Sequence, residues 1–292
     1  MLTLVPQPHS SYAPSVSVII PTKDMVPVLS RCLDSILART HYKKFEIILV
    51  ENNSTEPATF EYYKRVCSEH ACIRLLQVEM HGRFNFSRVV NAGAAHAMGD
   101  LLVFLNNDTE VLDPLWLEKL CSIAADPKVG AVGVRLLYPD TSLQHVGVVL
   151  GQNLWSPQHL YTGYSSKLPS YAHMASYTRT SSAVTGACIC TRRSYYDLVG
   201  GFDETLPVNF NDTDFCLKLR AHGLDCIQHN ACELMHYESI SRGHVDNASS
   251  QAQLAGDFGM FWHRWQDMLS HSDPYYNENF AFNNIFCALP KN

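Results

Sequence analysis

From Val16 onward, apolar runs alternate with polar turns and amphipathic stretches. VSVII at 16–20 has the apolar density of a buried strand, and Pro21 ends it. From Val28, the residues Leu29, Cys32, Leu33, Ile36 and Leu37 recur at helical spacing and mark one face of a helix. FEIILV at 45–50 and IRLLQV at 73–78 read as the second and third strands. Residues 87–98 carry Val89, Val90, Ala94 and Ala97 among polar neighbours, which is again a helix. LLVFL at 101–105 is apolar throughout, as a central strand covered on both faces must be. Asp113 and Pro114 supply an N-cap and a first-turn proline for a helix running to Ile123. The alternation predicts an α/β domain built on a mostly parallel central sheet flanked by helices.

After VGAVGV at 129–134, Gly, Pro, Ser and Tyr dominate residues 151–182, a stretch without clear periodicity that predicts a lid or binding surface. Tyr161, Tyr164, Tyr171 and Tyr177 within it either offer rings for a ligand to stack on or pack as a tyrosine-rich loop. A strand TGACIC at 185–190 and a helix over 213–222 follow. Residues 251–269 place Leu254, Phe258, Phe261, Trp262 and Trp265 on a C-terminal amphipathic helix. With one Arg and no Lys, that helix is expected to pack on the core rather than dock into a membrane interface.

Composition narrows the function classes. The chain has 292 residues, 46% hydrophobic and 17% charged, which argues for a folded globular protein and against disorder or a coiled coil. Its net charge of −6, from 22 Lys+Arg and 28 Asp+Glu, argues against a nucleic-acid binder working by phosphate neutralisation. No apolar run approaches the ~20 residues that span a bilayer, so no transmembrane segment is expected. The opening MLTLVPQPHSSYAPS, broken by Pro6, Pro8 and Pro14, lacks the pattern of a signal peptide and reads as a tail. Ten cysteines without paired CxxC spacing read as core thiols of a reducing compartment rather than zinc ligands. The sequons at Asn52, Asn53, Asn85, Asn107, Asn211 and Asn247 are then unused.

Ligands of an open parallel sheet bind beyond the carboxyl ends of its strands, so the residues directly after each strand carry the information. Here they are Pro21-Thr22-Lys23-Asp24, Glu51-Asn52-Asn53-Ser54 and Asn106-Asn107-Asp108-Thr109-Glu110. No GxGxxG or GxxxxGK[ST] follows any of them, which counts against a dinucleotide fold and a P-loop. Asp108 at a strand end suits a divalent cation bridging two phosphates, although Asn and Asp there also simply make turns. Asp212 and Asp214 stand just before a helix, where Asp has a plain capping role as well. His236 ends a short apolar run and is either a structural histidine or a metal ligand.

The ordered set PTKD, VENNS, FNFSRVVNAGAAHAMGDLLVFLNNDTEV, GGFDE, NDTDFC and HYESISRG resembles the family 2 inverting glycosyltransferases, in particular those of bacterial O-antigen, capsule and rhamnose-containing polysaccharide synthesis. The resemblance covers residues 15–243, leaving 1–14 as a tail and 244–292 as a C-terminal helical extension packed on the domain. It implies a GT-A fold, a UDP- or dTDP-sugar donor, Mn²⁺ or Mg²⁺, and a glycan or lipid-linked glycan acceptor. A cytoplasmic location follows, at the inner face of the membrane where the acceptor is lipid-linked and the protein peripheral. Position by position, the resemblance implies that Asp108 and His236 hold the metal, that Asp212 is the catalytic base and that Asp214 supports it. Pro21, Thr22, Asp24, Glu51, Asn53, Asn91, Asn106 and Asn107 are expected to line the donor; Arg242 either adds a phosphate contact or makes a surface salt bridge.

Two positions depart from the family pattern: Asn106 stands at the first Asp of the metal motif, and Glu51 replaces the usual Asp after the second strand. They make a catalytically inactive GT-A module that binds a nucleotide sugar or glycan in a larger synthase the alternative reading. A nucleotidylyltransferase ranks last, because the glycine-rich, basic entry after its first strand is missing. A catalytic fold preceded by a short tail also fits a module of a multidomain synthase.

Overall fold

The computed structural model of the chain describes residues 13–151, 156–237, 248–280 and 284–288. Its first half follows β1 (Val16–Thr22), α1 (Val26–Arg39), β2 (Phe45–Glu51), α2 (Pro57–Glu69), β3 (Ile73–Gln77), α3 (Phe86–His96) and β4 (Leu101–Leu105). Then come β5 (Thr109–Val111), α4 (Trp116–Ala124), β6 (Val129–Leu137), β7 (Leu143–His145), β8 (Val148–Val149), β9 (Gln158–His159) and β10 (Arg179–Ser181). The chain continues through β11 (Cys188–Arg192), α5 (Arg193–Leu198), α6 (Asn211–Ala221), β12 (Asp225–His236) and α7 (Ala248–Leu269).

The main sheet runs β10-β12-β6-β11-β4-β1-β2-β3, with β5 joined to β12 and β7 to β6. β3, β2, β1 and β4 are mutually parallel, so the expected parallel core is present and β4 is central. Beyond β4 the sheet is mixed: β11 runs antiparallel to both β4 and β6, and β12 is parallel to β6.

Period-two alternation sorts the strand residues onto two covered faces. Val18, Ile20, Ile47, Leu49, Val103 and Leu105 meet Leu29, Cys32, Leu33 and Ile36 of α1, with α2 and α4 alongside. Ile19, Ile48, Val50, Leu102 and Phe104 meet Val89, Val90 and Ala94 of α3 on the other face. Covering both faces is why these strands read as unbroken apolar runs. Gly93 lets α3 lie directly on the sheet, since a Cβ there would stand 2.5 Å from Ile19 Cγ2 and 2.8 Å from Val50 Cγ2.

Two expectations are adjusted. The helix expected at Asp113-Pro114 begins only at Trp116. Asp113 opens a preceding turn, its Oδ1 accepting from Leu115 N at 2.9 Å, while its other oxygen takes the Lys119 ammonium. The stretch 151–182, expected as a lid or binding surface, packs in part into a third apolar cluster in which Leu160, Tyr161 and Ala175 meet Leu137, Leu143 and Phe280. Residues 152–155 lie outside the described set.

The helix α7 packs on the core. Phe261 is fully buried, Trp262, Trp265 and Met268 lie against the α3-side cluster, and Phe210 stacks on Phe261 at 5.2 Å. No helix among the described residues is long and apolar enough to cross a membrane.

Candidate active site

A cleft of about 520 Å³ opens beyond the carboxyl ends of β1, β2 and β4 and the N-terminus of α6. Its walls include Pro21, Thr22, Asn53, Asn106, Asn107, Asp108, Asp212 and His236, so residues spread over more than 200 positions converge on one place.

The pair Asp108 and His236 is built by strand register. Only three residues long, β5 pairs antiparallel with the end of β12, setting His236 opposite Thr109, and Tyr237 N donates to the Asp108 carbonyl at 2.9 Å. Both side chains are buried, and Asp108 Oδ1 lies 3.1 Å from His236 Nε2. Yet Oδ1 accepts no hydrogen bond. The reason is the imidazole's other nitrogen: Nδ1 is 2.5 Å from Gln144 Oε1, an acceptor, so Nδ1 carries the proton and Nε2 a lone pair. Asn106 Nδ2 donates toward that lone pair at 3.3 Å.

Two acceptors therefore face each other inside the protein, which is costly unless a cation or a proton lies between them. Adjacent ligands of an octahedral ion, each ~2.1 Å away, stand ~3 Å apart, so the pair fits a hard divalent cation. Among the described residues no third His, Cys, Asp or Glu completes a group. Cys32 lies beneath, its thiol 3.8 Å from the Asn106 carbonyl oxygen, but burial, with Asp108's charge adding to it, pushes that thiol up to about 12 and keeps it protonated.

Asp212, which also lines the cleft, sits in the first turn of α6. Its Oδ2 accepts from Gly186 N at 2.8 Å and its Oδ1 from Thr213 N at 2.7 Å, which fixes the carboxylate while leaving lone pairs toward the cleft. Gly186 suits this approach, because a Cβ there would come within 3.3 Å of Asp212 Cβ.

At the ends of β1 and β2, Asn52 donates through N and Nδ2 to the Thr22 carbonyl at 3.1 and 3.0 Å, locking β2's end to β1. Asn53, in the left-handed region at φ 57°, pairs with Met80 as a strand would: Nδ2 donates to the Met80 carbonyl and Oδ1 accepts from Met80 N. That pairing holds the segment carrying Met80, Gly82, Phe84 and Phe86 along the cleft.

Other expected site residues stand elsewhere. Glu51 continues the parity of Ile47 and Leu49, so its buried carboxylate turns to Ser54 N at 2.5 Å instead of lining the cleft. Asp24 holds the turn that leads into α2, accepting from Thr55 N and Glu56 N at 3.0 Å each; burial raises its pKa, but these bonds outweigh it and hold the carboxyl below its usual value. Asn91 fastens α3 to the 196–204 turn through Phe202, Glu204 and the Tyr196 hydroxyl. Asp214 is fully buried, with Oδ1 accepting from Arg264 at 2.6 Å and Trp265 Nε1 at 2.9 Å. Of the tyrosines, Tyr161 is buried and Tyr164 packs against it, while Tyr171 and Tyr177 are exposed; none lines the cleft. Arg242 lies outside the described residues.

Lys23, Asn52, Thr185, Gly186 and Asn211 line the cleft without having been singled out. Lys23 and Asn52 stand in the post-strand segments and were legible by position. Thr185 and Gly186 were not: β11 is antiparallel to β4, so its amino end, rather than its carboxyl end, reaches the cleft.

The likenesses to known proteins agree with this architecture. The chain is 38% identical over 281 residues to the uncharacterized protein y4gI of Sinorhizobium fredii, covering 95% of this chain and 30% of that one. It is 36% identical over 277 residues to the O-antigen biosynthesis protein RfbC of Myxococcus xanthus, covering 94% and 21%. The chain thus spans less than a third of either relative's length. Its fold matches the mannosyltransferase PcManGT from Pyrobaculum calidifontis, solved with GDP-Man and Mn²⁺, at a TM-score of 0.61 and 20% identity over 92% of this chain and 68% of that one. The profile described as glycosyl transferase family 2 matches residues 17–199, taking in β1 through α5 with the Asn106 to Asp108 turn at its centre, and the chain accordingly belongs to glycosyl transferase family 2, on a GT-A fold.

Proposed function

We propose that the protein is a metal-dependent inverting glycosyltransferase that moves a sugar from a UDP- or dTDP-sugar to a hydroxyl of a glycan or lipid-linked glycan acceptor in bacterial surface polysaccharide synthesis. The observation that carries the reading is the convergence, in one cleft, of two facing buried acceptors and a separately fixed carboxylate. The likeness to RfbC supports the acceptor class.

Asp108 and His236 would hold the divalent ion, Mn²⁺ or Mg²⁺, and when bound it neutralises the charge developing on the leaving diphosphate. Pro21, Thr22, Asn52 and Asn53 bind the nucleoside at the ends of β1 and β2. Asp212, anchored by Gly186 N and Thr213 N, accepts the proton of the acceptor hydroxyl as that oxygen attacks the anomeric carbon from the face opposite the diphosphate, which inverts the configuration. Asn106 Nδ2 donates toward the single Nε2 lone pair, and an ion held by His236 would take that lone pair in place of this bond.

Thermal-shift titration with UDP, GDP, CMP and dTDP, with and without Mn²⁺, tests the site. Nucleotide binding is expected to need Mn²⁺ and to lose that dependence in Asp108→Ala. Equal nucleotide affinity in EDTA and in Mn²⁺ would refute the cation site.

A further inference from the structure

Gln144 has no part in the chemistry above, yet its side chain reaches 92 residues along the chain to His236. Pairing of β7 with β6 places it, Leu136 opposite His145 and Leu137 opposite Leu143, and Thr162 Oγ1 donates to its backbone carbonyl at 3.3 Å. The amide is buried and makes two contacts with one residue: Oε1 stands 2.5 Å from His236 Nδ1, and Nε2 donates to the His236 carbonyl at 3.4 Å. Those contacts fix which way the amide points. Turned over, its oxygen would face the His236 carbonyl oxygen, and its NH₂ would face Nδ1.

A neutral imidazole has one N–H and one lone pair, and the bond made by one nitrogen sets the state of the other. We infer that Gln144 is a positioning residue that holds His236 as the Nδ1–H tautomer, so that Nε2 presents its lone pair beside Asp108 Oδ1. The inference rests on reading that pair as the cation site, and Gln144 acts together with Asn106, whose Nδ2 donates toward the same Nε2 lone pair. Without Gln144, the ring proton is free to move to Nε2, where Asp108 Oδ1 accepts it at the 3.1 Å already present, and the two ligands satisfy each other instead of a cation. Hydrogen bonding to the non-ligating nitrogen typically changes metal affinity 10- to 100-fold, so the effect is measurable.

The test uses the whole chain labelled with ¹⁵N-histidine, metal-free and at mildly alkaline pH. Long-range ¹H–¹⁵N spectra, with His236 assigned by the signal lost in His236→Gln, report the tautomer directly. Wild type is expected to show a protonated Nδ1 and a bare Nε2; Gln144→Leu is expected to show the reverse. Gln144→Glu, whose carboxylate also accepts from Nδ1–H, is expected to keep the wild-type tautomer. Titration of Mn²⁺ alone, followed by electron paramagnetic resonance, is expected to weaken by at least ~10-fold in Gln144→Leu and to recover in Gln144→Glu. A wild-type His236 protonated on Nε2 overturns the inference, and that measurement does not depend on any variant folding. So does a folded Gln144→Leu with unchanged tautomer and Mn²⁺ affinity. If the tautomers behave as expected but wild type takes up no Mn²⁺, the cation reading of the cleft fails while the control of His236 by Gln144 stands.

Discussion

Asp214→Asn is expected to destabilise the protein without touching the chemistry. Asp214 is fully buried and carries the contacts that tie α7 to α6: Arg264 Nη1 at 2.6 Å and Trp265 Nε1 at 2.9 Å on Oδ1. Lys218 Nζ stands 3.4 Å from Oδ2, within ion-pair range but not hydrogen-bonded to it. Breaking a fully buried pair costs ~3–5 kcal/mol, because the partner charge is stranded. Arg264 is not stranded: its side chain is 38% exposed and also holds Asp203 at 2.5 Å. The loss is then that of one charge-assisted hydrogen bond, ~1.5–3 kcal/mol, offset in part by the amide oxygen that remains to serve Trp265 or Arg264. A net cost of about 2 kcal/mol corresponds, at ~2–4 °C per kcal/mol for a chain of this size class, to a melting temperature lowered by about 4–8 °C. Differential scanning calorimetry measures it, and transfer assayed well below the transition is expected to stay within a few-fold of wild type. An unchanged melting temperature with transfer abolished would refute the assignment and move Asp214 into the chemistry.

Asp212→Asn keeps shape but removes the proton acceptor, so transfer is expected to fall ~10²- to 10⁴-fold with donor affinity nearly unchanged; normal transfer would eliminate Asp212 as the base. Gly93→Ala forces a Cβ to 2.5 Å from Ile19 Cγ2 and is expected to cost about 1–3 kcal/mol of overpacking, read as a lower denaturant midpoint; a stabilised variant would contradict the packing of α3 on β1. Burial raises the pKa of Glu46, but bonds from Ser17, Met98 N and Arg74 outweigh it and hold the carboxyl below 4.5. A depressed folded pKa contributes stability above the unfolded value and loses it as the pH falls through the folded one. The melting-temperature gap between wild type and Glu46→Gln should therefore be steady near neutrality and close below pH 4.5; a gap that widens on acidification would show the sign to be wrong.

Much of this architecture follows from local pattern. Strands covered on both faces must be apolar without interruption, so VSVII, FEIILV and LLVFL announce the parallel core, and the spacing of Leu29, Cys32, Leu33 and Ile36 announces the helix laid on it. The turn after β4 and the acidic start of α6 were legible because ligand chemistry in such sheets gathers at strand ends and helix starts. What the pattern could not decide is direction and register. Asp212 and Asp214 are two positions apart on one helix, hence ~200° apart around its axis, and only the packing of α7 determines which faces the cleft and which the core. His236 meets Asp108 through a three-residue strand too short to show any period, and Gln144 reaches His236 through another strand of the same length. Thr185 and Gly186 join the cleft because β11 runs against its neighbours, a choice made by pairing between distant segments. Local sequence sets which residues can be buried or extended; long-range hydrogen bonding and packing set which of them meet, and the candidate chemistry lies in those meetings.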